Sequence, residues 1–113
     1  MKSLELKFGK EKIQGRDTFF STAELLKVAI NNITREGGLT VKEMSTRLRL
    51  LKVIDNHPEF LIDEKDYSDS LLTVKKTIDI EDADFSKLKD LFGEVKWGVV
   101  SEFIIELDND LSK

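Results

Sequence analysis

A helix-start signal that occurs twice in succession, with a Gly-Gly pair between the two copies, most constrains how this chain can fold. The segments 21–24 (Ser-Thr-Ala-Glu) and 40–43 (Thr-Val-Lys-Glu) both fit a capping box, in which a hydroxyl and a glutamate satisfy backbone N–H groups reciprocally. The glycines at 37 and 38 are typical of a helix C-terminus, where the backbone adopts a positive φ. The pattern predicts two helices joined by a short turn, an αα-hairpin.

Apolar residues follow each signal at helical spacing and predict which face of each helix is buried. For the first helix the predicted stripe is Leu25, Leu26, Ala29, Ile30 and Ile33. For the second helix it is Met44, Leu48 and Leu51, with Val41 and Ile54 to one side. The second helix should end at 56–58 (Asn-His-Pro), because proline disfavours helical conformation at the residue before it. His57 is the only histidine, and we interpret it as part of this helix terminus.

Alternating apolar residues predict a half-buried strand at the N-terminus, with Leu4, Leu6 and Phe8 on one side. Gly9 and Gly15 punctuate this segment, and Ile13 between them suits a short return strand of a hairpin.

Two later segments also have strand character. Residues 72–80 alternate, and Lys76 within their apolar face suits an edge strand. Residues 60–62 (Phe-Leu-Ile) could form another short strand, separated from the first by a polar loop. An edge strand at 72–80, or the N-terminal strand, would also allow a partner to add a strand to the sheet.

The C-terminal third predicts two helices. One begins at Asp82 or a neighbouring carboxylate and ends at Gly93, with the stripe Phe85, Leu88, Leu91 and Phe92. The tail has two interpretations, because helical spacing from Trp97 to Leu111 competes with strand-like alternation from Val99 to Leu107. Ser101 is a suitable N-cap, which favours a helix from about residue 101. We therefore expect one α+β domain over residues 1–113: an N-terminal strand or hairpin, a central αα-hairpin, a small antiparallel sheet and two C-terminal helices.

The two halves of the chain differ in charge. Residues 1–54 hold eleven Lys/Arg against six Asp/Glu, a net charge of +5, whereas residues 55–113 hold seven against sixteen, a net charge of −9. Such an asymmetry bears on partners more than on fold. If the halves separate in space, complementary patches favour head-to-tail contacts between molecules. If the charges pair internally, the asymmetry says nothing about partners.

The positive charge is concentrated on the second predicted helix, at Lys42, Arg47, Arg49 and Lys52. The segment 39–44 (Leu-Thr-Val-Lys-Glu-Met) together with Leu48 resembles the opening helix of helix-turn-helix domains, which implies contact with nucleic acid. The chain departs from that pattern after Leu48, where helical sequence continues without the short turn and recognition helix. Lys and Arg in reach of phosphates are nevertheless sufficient for backbone contacts.

The sequence contains no motif that supports a catalytic, cofactor or metal site. The absence of cysteine excludes disulfides and thiolate ligands. The acidic clusters lack the glycine and the spacing of an EF-hand loop. We therefore expect no enzyme activity, no cofactor and no metal. Charged residues interrupt the N-terminal segment, and no apolar run approaches the length of a membrane span, so we expect a cytoplasmic protein without membrane contact.

These observations favour a non-enzymatic interaction or assembly module, such as a small subunit or adaptor of a larger viral or bacterial complex. Its partner would be another protein or a second copy in a homo-oligomer. The predicted partner-binding residues are Lys42, Arg47, Arg49, Lys52 and Trp97, the last because tryptophan is enriched at interfaces. The alternative is a nucleic-acid-binding regulator that uses the basic helix 40–55.

Overall fold

An N-terminal hairpin, an αα-hairpin, a further strand and two C-terminal helices follow one another in the computed structural model, which describes residues 1–33 and 37–113. Within those residues the elements are β1 (Lys2–Ile13), β2 (Arg16–Ser21), α1 (Thr22–Asn31), α2 (Val41–Asp55), β3 (Lys75–Ile80), α3 (Asp82–Gly93) and α4 (Glu102–Leu111). Short 3-10 turns at Pro58–Phe60, Glu64–Asp66 and Asp69–Thr73 lead from α2 to β3. The predicted α+β class is confirmed.

The long strand β1 lies at the centre of an antiparallel sheet with the order β2-β1-β3. Its first half pairs with β3, where Leu4 faces Ile78, and its second half pairs with β2, where Lys10 faces Phe19. The predicted edge position of the 72–80 strand is therefore confirmed for β3, although β3 begins only at Lys75. Each half of β1 thus has a single strand neighbour, β3 for the first half and β2 for the second, so the suggestion that a partner could add a strand beside the N-terminal strand stays a prediction. The predicted strand at 60–62 is wrong, since Phe60 is the last residue of a 3-10 turn and residues 61 and 62 belong to no strand.

The hairpin turn lies at Gln14 and Gly15, later than the glycine pattern predicts. Both residues have positive φ, 52° and 79°, as the tight turns that match the right-handed twist of two strands require. β1 instead continues straight through Gly9. Ile13 is the last residue of β1, and the return strand begins at Arg16.

Gly9 is required by the packing of α4 on the sheet. A Cβ atom added at Gly9 would lie 2.3 Å from Cδ2 of Phe103, so only glycine leaves space for that ring. The Phe103 ring also stacks on Phe20 at 5.6 Å. The preceding residue, Phe8, stacks on Phe60 at 5.2 Å. Because consecutive strand residues point to opposite faces, β1 is covered on both sides at this point.

The two predicted capping boxes have different outcomes. At 40–43 the hydroxyl half of the box is confirmed, since the Thr40 hydroxyl accepts a hydrogen bond from the Glu43 backbone N–H at 3.2 Å, and the same hydroxyl donates to the Glu43 carboxylate. At 21–24 the helix begins where predicted, but Ser21 makes no cap bond. Its hydroxyl donates to the carbonyl oxygen of Phe60 at 2.6 Å, and the carboxylate of Glu24 accepts from the Tyr67 hydroxyl at 3.0 Å. These tertiary contacts take the place of the local box.

The first helix ends earlier than predicted. α1 stops at Asn31, so the glycines at 37 and 38 do not cap it directly, although both have the predicted positive φ. Ile33 lies beyond the helix and is exposed, which removes it from the predicted buried stripe. The part of the predicted helix at 34–36 lies outside the described residues.

The C-terminal helices match their predictions closely. The whole predicted stripe of α3 is buried, from Phe85 to Phe92. The tail is a helix from Glu102, and the hydroxyl of Ser101 accepts a hydrogen bond from the Ile104 backbone N–H, as an N-cap does. The helical interpretation of the tail also placed Val100 on the apolar stripe that runs from Trp97 to Leu111. In the structure Val100 precedes α4 and is almost fully exposed.

Candidate protein-interaction site

The α2 helix turns its apolar stripe outward. The predicted inner residues Val41, Met44 and Leu48 are 77%, 51% and 51% exposed. The residues that face the core are Arg47, Leu50 and Ile54, of which only Ile54 was placed, to one side, in the predicted stripe. The predicted burial of Met44 and Leu48 is therefore wrong, and the exposed set needs another explanation.

The inward position of Arg47 explains this orientation. Its guanidinium donates from Nη1 to the carbonyl oxygens of Ile30 at 2.8 Å and Asn32 at 2.6 Å. The last carbonyls of a helix have no partner within the helix, so an arginine directed at them both satisfies them and complements the helix dipole. The methylene stem packs inside, and Arg47 is only 8% exposed. Arg47 thereby fixes α2 against the end of α1 and leaves the predicted basic surface.

A shallow apolar groove of about 270 Å³ results between the end of α1 and the outer side of α2. Its lining is Ile30, Asn31, Ile33, Leu39, Met44, Arg47, Leu48 and Leu51. Val41 extends the apolar surface by one turn, since residues three and seven positions apart lie on the same helix face. We call Val41, Met44 and Leu48 the α2 stripe. Scattered exposed apolar residues are normal, whereas a contiguous row beside a groove is typical of an interaction site.

A basic rim flanks the α2 stripe and consists of Lys42, Arg49 and Lys52, all exposed. Arg49 donates to both carboxylate oxygens of Asp84 on α3, at 2.9 and 3.3 Å, and this pairing raises the pKa of Arg49 above its usual value. Lys42 and Lys52 form no ion pair with any residue in the described ranges. The predicted basic cluster thus divides into Arg47, which is buried, Arg49, which is paired, and two exposed lysines without an ion pair in the described residues.

The charge asymmetry of the two halves is partly neutralised inside the molecule. Besides Arg49 and Asp84, Lys10 pairs with Asp69 and Lys27 with Asp55, both at 3.0 Å. The amino group of Met1 lies 3.2 Å from Asp82. Each of these pairs joins the positive half to the negative half. The halves interleave rather than separate, so complementary charge must be sought on particular faces and not on halves.

Trp97 lies away from α2, in the segment between α3 and α4. Its ring contacts Phe92 at a centroid distance of 5.1 Å, and the residue is half-buried. It lines a groove of about 300 Å³ together with Val95, Ile105 and Asp108. The structure does not bring Trp97 together with the basic residues, so the predicted partner-binding set consists of two separate surfaces.

The side chains that could ligate a metal are dispersed over the described residues. Within 1–33 and 37–113, no three His, Asp or Glu side chains are placed to hold a metal ion. His57 follows the end of α2, where its backbone N–H donates to the Ile54 carbonyl, and its ring lies 3.8 Å from Glu59. Over the same residues, none of the helices has both the length and the apolar character needed to cross a bilayer.

Sequence reasoning placed the basic residues on α2 but missed the apolar stripe beside them as a surface. The signal was present, because α2 has a second candidate inner face, formed by Arg47, Leu50 and Ile54 at spacings of three and four. Comparison with known protein families, with characterised proteins and with solved structures gives no match. A proposal about its function therefore rests on the surface of the domain itself.

Proposed function

We propose that this domain is a non-enzymatic protein-interaction module, in which the α2 stripe and its basic rim bind an acidic amphipathic helix. The observation that carries the proposal is the outward orientation of Val41, Met44 and Leu48 beside two lysines without an ion pair in the described residues. Helix-in-groove recognition uses apolar anchors at these spacings, and flanking lysines select acidic partners. A cytoplasmic adaptor or a small subunit of a larger assembly fits this role.

Packing favours a helical occupant. Ile30 and Leu51 form the floor of the groove, and Met44 and Leu48 rise beside it as half-exposed anchors. A partner helix that covers these anchors would remove apolar area from water, which contributes about 25 cal/mol per Å². Methionine adapts its shape to different partners, which suits a site that accepts a helix from another chain.

Two contacts weigh against nucleic acid as the occupant. Arg47 is turned inward onto carbonyl oxygens, and Arg49 is held by Asp84, so half of the basic cluster is already engaged. The remaining lysines border the apolar α2 stripe. Nucleic-acid binding through helix 40–55 stays the alternative and becomes one outcome of the test below.

The test is a titration of the isotope-labelled domain with a synthetic peptide helix, followed by backbone amide chemical shifts. The peptide carries leucines on one face at helical spacing and glutamates on the flanks. We expect the amide signals of Met44, Leu48 and Lys52 to shift, and binding to weaken with salt because exposed charges are screened. A matched peptide with lysine in place of each glutamate, and a DNA duplex, are titrated in parallel.

Leu48→Glu should abolish peptide binding, because it places a carboxylate in the middle of the α2 stripe. Leu72→Glu makes the same chemical change at an exposed leucine outside α2 and should leave binding unchanged. If the acidic peptide leaves residues 41–52 unshifted, the proposal is wrong. A duplex that shifts these residues while the acidic peptide does not would establish the nucleic-acid alternative instead.

A further inference from the structure

We infer that the occupant of the α2 stripe is a second copy of this chain, which presents the outer face of α4. The inference rests on the function proposed above and names the partner for that site. It predicts a heterologous contact, in which α2 of one copy meets α4 of the next. We call Trp97, Ile105, Glu102, Glu106 and Asp108 the acidic face.

The acidic face combines an apolar centre with carboxylates. Ile105 is 56% exposed although it lies in an ordered helix, and Glu102, Glu106 and Asp108 are exposed around it. The groove beside Ile105 is lined by Trp97 and by Val95, which extend the apolar area toward α3. α4 carries acidic residues at four of its ten positions and contains neither lysine nor arginine. Its charge is therefore of a single sign.

The two faces complement each other in charge and in composition. The α2 stripe has three apolar side chains beside Lys42 and Lys52, and the acidic face has apolar side chains beside three carboxylates. Opposite potentials steer the encounter and fix the orientation, while the apolar centre supplies the contact area. Among the other exposed apolar residues, Leu72 and Val74 are followed in the chain by Lys75 and Lys76.

The contact has to form between copies. α2 packs against α1 and α3, whereas α4 packs against α3 and β1, and both outer faces remain exposed within one copy. A contact that joins two different faces leaves a free α2 stripe at one end and a free acidic face at the other. Such contacts close into rings or extend into filaments. The wild-type protein should therefore grow beyond a dimer as its concentration rises.

A mixing experiment with two variants tests this geometry. Leu48→Glu blocks the α2 stripe and leaves the acidic face intact, whereas Ile105→Lys blocks the acidic face and leaves the α2 stripe intact. Mass is measured by light scattering during gel filtration and by sedimentation. We expect concentration-dependent oligomers for the wild type at low salt, a smaller mass at high salt, and a monomer for each variant alone. An equimolar mixture should form a one-to-one heterodimer and nothing larger, since the remaining faces are both blocked.

Both substitutions lie at positions that are more than half exposed, so thermal unfolding should show that the variants are folded. Met44→Glu is a second blocking variant for the α2 stripe, and Leu72→Glu is the control that should associate like the wild type. Each blocking variant should weaken self-association by at least about tenfold, as expected for a residue at the centre of an interface.

Three results would overturn the inference. The first is a wild-type protein that stays monomeric at all concentrations in low salt. The second is a mixture of the two folded variants that forms no heterodimer. The third is association that survives both substitutions. If the acidic peptide still shifts residues 41–52 in any of these cases, the proposed helix-binding function stands and only the second copy as its occupant is wrong.

Discussion

The helices α2 and α4 are both amphipathic, both begin with a hydroxyl cap and both contact α3, yet they differ in whether the predicted apolar stripe faces the core. α4 buries Ile104, Leu107 and Leu111 and exposes its carboxylates. α2 buries Leu50 and Ile54 together with an arginine, and exposes Met44 and Leu48. An apolar stripe indicates that a face will be covered, but it does not say whether the cover is the same chain or another one.

The difference arises from what each helix has to satisfy in its neighbour. α4 lies on a sheet, where Gly9 provides the space for Phe103 and apolar contacts decide its orientation. α2 lies against the end of α1, where free carbonyl groups attract the Arg47 guanidinium. Buried polar groups without a hydrogen-bond partner are costly, so this requirement outweighs the burial of two apolar side chains on the stripe.

The largest expected effect comes from a pair of leucines on α2. Leu50 is 1% exposed and Leu48 is half-exposed, so truncating each to alanine tests the orientation of the helix. Leu50→Ala should lower the free energy of unfolding by about 2–5 kcal/mol, because it leaves a cavity. Leu48→Ala should change it by no more than about 0.5 kcal/mol. Urea denaturation with a common slope measures both. The reverse order of the two losses would show that the stripe faces the core after all.

Arg47→Met also tests the orientation of α2, because it removes the charged donor while keeping the length of the side chain. Two hydrogen bonds to α1 carbonyls are lost, so the free energy of unfolding should fall by about 1.5–3 kcal/mol. The buried Nε of Arg47 has no partner within the described residues, and its removal offsets part of this loss. Arg49→Met, on the same helix and at an exposed position, is the control and should cost less. Equal losses in the two variants would contradict the structural role of Arg47.

The sequence predicts the buried face of some of these helices better than that of others. For α3 and α4, local signals and tertiary packing agree, so the stripes, the Ser101 cap and the approximate start of α4 could be predicted. For α2, the start at Thr40 could be predicted, but helical spacing offers two candidate inner faces. The contact that selects between them, from Arg47 to carbonyl groups at the end of α1, is not visible in the sequence. Likewise, the hydroxyl of Ser21 bonds to Phe60, thirty-nine residues away, which no local pattern indicates.

The candidate site follows the same division. Lys42 and Lys52 lie on the surface where helical spacing places them. The exposure of the α2 stripe, by contrast, is known only from the orientation of α2 in the structure. The charge asymmetry of the two halves was a poor guide, because pairs such as Lys10 with Asp69 join them inside one molecule. Trp97 was chosen for its residue type, and the structure adds Ile105 and the carboxylates of α4 around it.

Gly9→Ala perturbs α4 without touching α2. The new Cβ would overlap the Phe103 ring, so the ring or the helix has to move, at a cost of about 1–3 kcal/mol in the free energy of unfolding. The double variant Gly9→Ala, Phe103→Leu should recover part of this loss, since a smaller side chain relieves the overlap. Binding of the acidic peptide at α2 should be unchanged in the single variant. Additive losses in the double variant would contradict a direct contact between the two positions.

The smallest expected change in the free energy of unfolding comes from removing the N-cap hydroxyls of α2 and α4. Ser101 and Thr40 each accept a hydrogen bond from the backbone N–H three residues later, at 3.2 Å. The Ser101 hydroxyl also donates to the carboxylate of Glu11 on β1, and Ser101 is buried, whereas Thr40 is exposed. Alanine at either cap should lower the free energy of unfolding within the range of about 0.5–2 kcal/mol, with Ser101→Ala near the top and Thr40→Ala near the bottom.

A double-mutant cycle of Ser101→Ala with Glu11→Gln isolates the contribution of the contact with β1. Glu11 also accepts a hydrogen bond from the Glu102 backbone N–H at 3.1 Å, so it fastens the start of α4 through two donors. We expect a coupling free energy of at least about 0.5 kcal/mol between the two positions, as for residues in one hydrogen-bond network. Thr40→Ala combined with Glu11→Gln is the control pair and should be additive. If Ser101→Ala and Thr40→Ala lower the free energy of unfolding equally, and Ser101 and Glu11 show no coupling, the contact with β1 does not stabilise α4. The apolar stripe alone would then hold α4 in place, and the difference between α4 and α2 would depend only on Arg47.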